Sequence, residues 1–505
     1  MARSRSGGET RPRSAGDVVT ADFAAGSMRL SRISKLLVDR DAVTTDDALR
    51  RRRQYSVALC CGPDIAISRS MQLAVLTAAE TARRCLPGAV TVHCEPTVRA
   101  ALCLPWPRLR QTFGQALTNI LGQDSVTAQP CSGESGRVLI FGDVPVSPGA
   151  IRVTFDGWIA KVGPAATTPA LAEREYCSLA GVVAGAIAVS ELFSSFAQIS
   201  VEATRRTVGL SLWRPDLDID DPAALGVPVE FLPRDIWVLG LGHLGNAYLW
   251  ALASLPYRED GMGDVFLMDF DQIELENTDT GVLFTPSDVD SYKTRVCNRW
   301  LAERGFQSRI VERYFDSNFR CRDDEPRQAF CGFDNNAARR DLATAKFVRV
   351  MESGLGGTVD NFDTISIHML PNPRSAEELW PDLSPEADER QRQRREELAQ
   401  ENPAYLSLGA DPCGRADLAG KSVAVPFVGI AAAALVVAET VRLLHGGPAY
   451  TDIKLVLSDM GRRSAILART YSVPDLIGLS YCDAVVSVTE AAVRKRSKRE
   501  IELLR

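Results

Sequence analysis

The residues whose types and spacing could do chemistry begin at Gly240. The run Gly240-Leu-Gly-His-Leu-Gly245 follows a short apolar segment, residues 236–239, and opens a helical stretch that reaches about Ser254. Glycines at these places allow a tight turn and let phosphate oxygens approach backbone amides at a helix start. Asp269 ends the next apolar run, VFLMDF, where a carboxylate suits the hydroxyl pair of a ribose. A dehydrogenase using a nicotinamide cofactor would show the same two features as an ATP-using enzyme, and a turn without ligand would show the glycines alone. Among the thiols, Cys413 has the most reactive setting. It lies in Ala410-Asp-Pro-Cys-Gly-Arg415, read as a flexible exposed loop, with Arg415 and Lys421 near enough in sequence to favour a thiolate. Cys331 closes an apolar strand and Cys297 falls in a helical pattern, so both read as core. His243, inside the glycine run, reads as packed or exposed ahead of any phosphate contact.

The elements that must position these groups alternate between strand and helix. The glycine turn sits in the opening βαβ of a doubly wound sheet. A further strand ends in AFCGFDNN near Asp334, and a helix over 337–347 and a strand over 347–351 continue the alternation. Residues 371–420 break it. This segment carries EADERQRQRREELAQEN, read as one polar helix with a solvated charged face, and reads as a surface insertion with a mobile loop. The first half looks like a worn copy of the same plan. A strand is predicted at 55–62, a helix at 64–85, a second strand in AVTVHCEP and a third ending near Asp143. A shift of 248 positions places Gly181 on Gly429 and Glu191 on Glu439 within two apolar helices, which supports a duplicated fold. The first copy has Cys60-Cys-Gly-Pro-Asp64 in place of the glycine turn.

Composition bounds the rest. With 505 residues, the chain is too long for one ordinary core. Hydrophobic residues at 45% and charged residues at 24% describe a soluble globular protein. A net charge of −6 argues against a general nucleic-acid binder. The start of the chain, MARSRSGGETRPRSAG, is polar and lacks an apolar core, so it reads as a disordered tail. The basic run at 494–500 reads as a solvated tail. The apolar stretch Val423 to Ala438 contains Pro426 and Gly429 and reads as a buried helix, with no membrane contact expected. Twelve cysteines without a CxxC pair make a disulfide framework or a zinc site unexpected and fit a reduced, cytoplasmic setting.

Asp269-Phe-Asp-Gln-Ile-Glu-Leu-Glu-Asn277 resembles the DxDxVxxxN signature of the ThiF-like family, which includes ubiquitin-activating enzymes. Lys293 stands sixteen residues beyond Asn277, at the family's spacing for a phosphate-binding lysine, and Asp334-Asn335-Asn-Ala-Ala-Arg339 is similar to its DNxxxR motif. The match covers roughly residues 234–360. It implies an α/β protein of two Rossmann-like, ThiF-type adenylation lobes: a tail at 1–25, an inactive lobe at 26–225, and an active lobe at 226–505 with a cysteine-bearing insertion at about 371–420. It further implies ATP and Mg²⁺ as cofactors. Gly240, Gly242, Gly245, Asp269, Asp271, Asn277, Lys293, Asp334, Asn335 and Arg339 would bind the nucleotide, and Asp334 would hold the metal. The catalytic set would be Lys293, Cys413 and an arginine. The family places that arginine three residues after the asparagine, where Thr280 stands here. Arg29, Arg32 and Arg40 could supply the missing charge, and Arg32 is favoured.

The resemblance is nearest to activating enzymes of bacterial ubiquitin-like conjugation operons in antiphage defence. The expected reaction is adenylation of the C-terminal glycine carboxylate of a ubiquitin-like protein. Thioester formation on Cys413 and transfer to a conjugating enzyme would follow. The resemblance also admits a homodimer. Two alternatives stay open: an adenylate that serves sulfur transfer or peptide or tRNA modification without an enzyme thioester, and an adenylation fold that only binds.

Overall fold

The computed structural model describes residues 30–129, 131, 137–258, 263–382, 384–407, 412–468 and 479–485. The basic tails at both ends, Arg29 among them, lie outside these residues. The predicted strands form two sheets. The first holds β1 (Val57–Cys61), β2 (Val90–Cys94), β3 (Val126–Thr127), β4 (Arg137–Phe141), β5 (Ile151–Asp156), β6 (Ile159–Pro164) and β7 (Val208–Ser211), in the order β3-β2-β1-β4-β5-β6-β7. A strand β8 (Phe231–Arg234) leads into the second sheet. That sheet holds β9 (Ile236–Leu239), β10 (Asp264–Met268), β11 (Gln307–Val311), β12 (Gln328–Cys331), β13 (Arg349–Leu355), β14 (Thr364–Leu370), β15 (Tyr450–Val456) and β16 (Asp459–Leu467). Its order, β11-β10-β9-β12-β13-β14-β15-β16, repeats the first with one strand added. In both, five strands run parallel and the rest return antiparallel. The short strand β17 (Ser480–Asp483) pairs antiparallel with β8.

Four helices fill the space between the sheets. The helix α1 (Arg69–Cys85) follows β1 and packs on α2 (Leu179–Phe196), while α3 (His243–Ala253) follows β9 and packs on α4 (Pro426–Leu444). α2 and α4 also pack on each other. The glycines related by the shift of 248 are what allow these approaches. A Cβ on Gly181 would stand 1.9 Å from the Ser70 carbonyl oxygen, and one on Gly429 would stand 2.3 Å from His243 Nε2. The related glutamates both accept from a backbone amide downstream: Glu191 from Thr204 at 2.7 Å, Glu439 from Tyr450 at 3.2 Å. α2 and α4 are long and apolar enough to cross a membrane, yet both are almost wholly buried inside the protein.

One hydrophobic core runs from Leu30 and Val57 through Ile187 and Leu249 to Val436 and Leu455, and so joins the two sheets. Buried polar groups staple the same seam. The fully buried Arg442 guanidinium pairs with Glu439 and donates to the Leu212 carbonyl of the first half. Tyr450 donates its hydroxyl to Asp216.

The thiols and the insertion depart from expectation. Cys60 and Cys131 form a disulfide that ties β1 to the segment before β4. Sequence reasoning missed it because the two lie 71 residues apart. The insertion holds more helix than the single polar one. Besides residues Pro385–Glu401 it forms Ala376–Leu379, Pro403–Ser407 and Pro412–Gly420. Its underside is also built into the core through Ala399, Ala404, Tyr405 and Ala419.

Candidate functional site

The site gathers at the C-terminal ends of β9, β10 and β12. Gly240 adopts φ +80°, a left-handed conformation that favours glycine. A Cβ on Gly245 would sit 2.0 Å from the Gly240 carbonyl oxygen, so the turn closes only with glycine there. Gly242 caps α3 without any side-chain bond, and a Cβ on it would meet nothing within 4 Å. The first amides of an eleven-residue helix therefore start at an open turn, a place suited to an anion.

Asp269 is tied to this turn. Leu241 donates its amide to Asp269 Oδ2 at 2.6 Å, and Asp271 donates its own to Oδ1 at 2.8 Å. Burial pushes the Asp269 carboxyl above its ordinary range, against the pull of the Lys293 charge and those two amides. Lys293 begins a helix and is only 8% exposed. Its ammonium reaches Asp271 Oδ2 at 2.6 Å, and its amide donates to the Asp271 carbonyl at 3.0 Å. One chain of bonds thus links the glycine turn, the two aspartates and the lysine. Beside Asp269, Phe270 and Tyr314 present an aromatic pair, 37% and 63% exposed, with ring centroids 3.4 Å apart. Neither aromatic stood out in the sequence, because Tyr314 belongs to a loop after β11 that approaches only through the sheet.

Asn277 opens a short helix, and its side-chain oxygen accepts from the Glu274 amide at 2.9 Å. Thr280, where the family's arginine is expected, is buried. Two arginines of the first half converge on this segment instead. Arg84, from α1, donates to the carbonyls of Thr278, Val282 and Phe284 and is fully engaged. Burial lowers its guanidinium to about 10. Arg32 sits at the surface of the same segment. Its amide donates to Asp279 Oδ2 at 3.1 Å and its Nε to the Ser422 carbonyl at 3.2 Å. Burial lowers its guanidinium from the ordinary value, while Glu276, Asp279 and Asp334 act in the opposite direction. Arg40 stays within the first half, on Asp41 and the Ala197 carbonyl. Of Arg32 and Arg40, the two candidate arginines among the described residues, Arg32 is the one whose charge is felt by these carboxylates.

Asp334 is exposed just beyond β12, on an open cleft of about 690 Å³ that Asn336, Asp382, Pro385 and Asp388 also line. Asn335 caps the next helix by accepting from the Ala338 amide at 2.7 Å. Arg339 turns back into the protein. It donates to the Phe333 carbonyl at 2.7 Å and pairs with the buried Glu352 at 2.9 Å, whose other oxygen lies 2.8 Å from His368 Nδ1. That makes Arg339 a brace for the loop that carries Asp334. His243 is buried against α4, and burial together with the Arg32 charge lowers its ring to about 3, so it is neutral packing. Among the described residues no group of three or more His, Cys, Asp or Glu is placed to hold a metal.

Cys413 lies in the first turn of the helix Pro412–Gly420 rather than in a loop; residues 408–411 just before it lie outside the described ones. Lys421, after that helix, pairs with Glu276 of the segment that holds Asn277. The insertion is thus fastened at its exit to the candidate site. Its entrance is fastened too: Arg340 donates to the Trp380 carbonyl and to Asp382, both at 2.7 Å.

The chain matches the BilD N-terminal domain over residues 56–212 and the BilD C-terminal domain over residues 232–447. It is similar to the bacterial E1-like protein BilD of Collimonas sp. (strain OK412), with 35% identity over 429 residues, covering 84% of this chain and 90% of that protein. Among solved structures it is similar to E. coli MccB, at 14% identity and a TM-score of 0.33, over 64% of this chain and 96% of that one. A second MccB structure, solved with ATP, gives 15% identity and a TM-score of 0.31, over 47% of this chain and 65% of that one. Matched in both halves, and 35% identical to a relative over most of its length, the chain belongs to the BilD family of bacterial E1-like proteins.

Proposed function

We propose that this chain adenylates the C-terminal carboxylate of a ubiquitin-like protein and then takes the acyl group onto Cys413, for transfer to a conjugating enzyme. The second half is the active lobe and the first half its inactive partner. The observation that carries the reading is the meeting of Arg32, from the first half, with Asp279 of the Asn277 segment, beside an open glycine turn.

The turn Gly240–Gly245 and the start of α3 hold phosphate oxygens, and Asp269 accepts from the ribose hydroxyls. The exposed Phe270–Tyr314 pair offers a face to the base. Lys293 exchanges its bond to Asp271 for the triphosphate, and Arg32 adds the charge that Thr280 cannot. Mg²⁺ usually keeps one or two carboxylates plus phosphate oxygens, and the exposed Asp334 fits that pattern. When bound, the ion neutralises charge on the phosphates. A carboxylate oxygen of the substrate attacks the α-phosphorus and the bond to pyrophosphate breaks, its electrons leaving with pyrophosphate. Two anions meet in that step, so fixed cations lower the barrier most where charge builds up. The Cys413 thiolate then attacks the acyl carbon, the bond to AMP oxygen breaks, and AMP leaves with that electron pair.

ATP–pyrophosphate exchange with a small protein ending in glycine tests the first step. A thiol-sensitive adduct on a non-reducing gel, lost in Cys413→Ala, tests the second. Exchange without an adduct would favour an adenylate used without an enzyme thioester. Silence in both would favour a binding module.

A further inference from the structure

Outside the site lies a buried polar cluster that the reaction does not use. Lys35 is 2% exposed, on the helix Lys35–Asp41 of the first half. Its ammonium has three donors and three oxygen partners: Asp39 Oδ2 at 2.6 Å, the Tyr405 hydroxyl, and the Ala419 carbonyl at 3.1 Å. Tyr405 in turn donates to Asp39 Oδ1 at 2.6 Å, which closes the ring of bonds. Asn402, also buried, donates to the Val38 carbonyl at 2.8 Å. Two of the partners of Lys35 are 370 and 384 residues away, and both belong to the insertion.

A buried ammonium is costly, and an apolar contact of the same size would hold two surfaces together as well or better. What the polar ring adds is register, since hydrogen bonds are lost over small displacements of the two insertion helices. One of those helices is Pro412–Gly420, whose first turn carries Cys413 and whose last residues supply the Ala419 carbonyl. Three residues before Lys35, Arg32 binds Ser422 and Asp279. A single short segment therefore touches both the nucleotide side and the cysteine side.

We infer that Lys35, Asp39 and Tyr405 form a latch that fixes the Cys413 helix at a set distance from the adenylation site, without taking part in nucleotide binding. All three are positioning residues. The inference rests on the reading of Cys413 as the acyl acceptor.

The test uses the full chain with Tyr405→Phe, which removes one oxygen, and with Lys35→Met, which keeps the volume. Hydrogen exchange over 403–407 and 412–420 rises about tenfold in both. Exchange over 236–253 and the affinity for MgATP stay within about twofold. Where the wild type forms a thioester, its single-turnover rate falls about tenfold at that unchanged affinity. Unchanged exchange in the insertion overturns the latch. So does a rise that spreads to the glycine turn, or a loss of MgATP binding, since either marks general loosening. A wild type that forms no thioester counts against Cys413 as acceptor, and the exchange data still judge the latch.

Discussion

The two halves share a strand order over seven strands, and the turn after the central strand is where their side chains diverge in kind. In the second half, β9 runs into Gly240–Gly245 and a helix whose start carries no side-chain cap. In the first half the equivalent helix is filled from within. Ser68 caps it by accepting from the Met71 amide at 3.0 Å. Glu175 accepts from the Ser70 amide at 3.1 Å and from the hydroxyls of Ser68 and Ser70. Nearby, Asp64 accepts from the Asp143 amide at 2.9 Å, and a Cβ on Gly142 would stand 2.3 Å from its Oδ1. The first half thus keeps its own carboxylates where the second half leaves room for a guest anion. A carboxylate bonded at such a turn occupies the room that a phosphate would need.

The comparison is broken most directly at the turns. Gly245→Ala drives a Cβ against the Gly240 carbonyl, and MgATP affinity falls roughly a hundredfold or more. Gly62→Ala crowds Asp64 and Asp143 in the first half, with a Cβ 2.6 Å from each. It costs about 1–3 kcal/mol of stability while MgATP affinity of the folded protein stays within about twofold. Calorimetric titration paired with thermal melts separates the two, and equal loss of affinity in both variants would show that the first half also binds nucleotide. Next in size, Arg32→Ala lowers the ATP–pyrophosphate exchange rate by roughly ten- to a hundredfold, and Arg40→Ala leaves it unchanged. An equal effect of both would mean that the segment matters for folding and not for the charge of Arg32.

The smallest effects concern protons, and they carry opposite signs in the two halves. Burial, with help from the charges of Asp64 and Glu175, raises Glu173 from 4.5 to about 7. The folded protein then holds a proton that the unfolded chain releases, so this term is full below pH 4.5 and is lost as pH rises through about 7. Burial and Arg32 lower His243 from 6.5 to about 3, so its term is full above pH 6.5 and is lost as pH falls toward 3. Denaturant melts between pH 3 and 8 should show Glu173→Gln removing a fall in stability between pH 4.5 and about 7, and His243→Gln removing a rise between about pH 3 and 6.5. Each change is spread over more than two pH units, and the Glu173 term is reduced by its partial exposure to solvent.

Much of this was readable because it is local. The strands at 236–239 and 264–268 and the helix after Gly242 follow from apolar runs punctuated by glycine, and neighbours in sequence fix them. The helix expected over 337–347 is shorter, Asn336–Asp341 with a tight turn after it, because Lys346 takes a left-handed conformation at φ 64° and the chain turns into β13. What stayed hidden depends on distant approach. Arg84 meets Thr278 across 194 residues, Lys35 meets Tyr405 across 370, and the Cys60–Cys131 bridge spans 71. No period or motif marks such pairs, since each partner alone looks like an ordinary helix or strand residue. Arg339 shows the converse: a motif position is legible, but whether its guanidinium points outward or back to Glu352 is a matter of packing.

The continuous core has a consequence for how such a chain can be divided. If the two halves were encoded as separate polypeptides, α2 and α4 would each present a greasy flank to water until the other arrived. Neither product would be finished alone, and the pair would have to assemble permanently. Substitution in the first half is therefore less constrained at its turns than at the surface it lends to its twin.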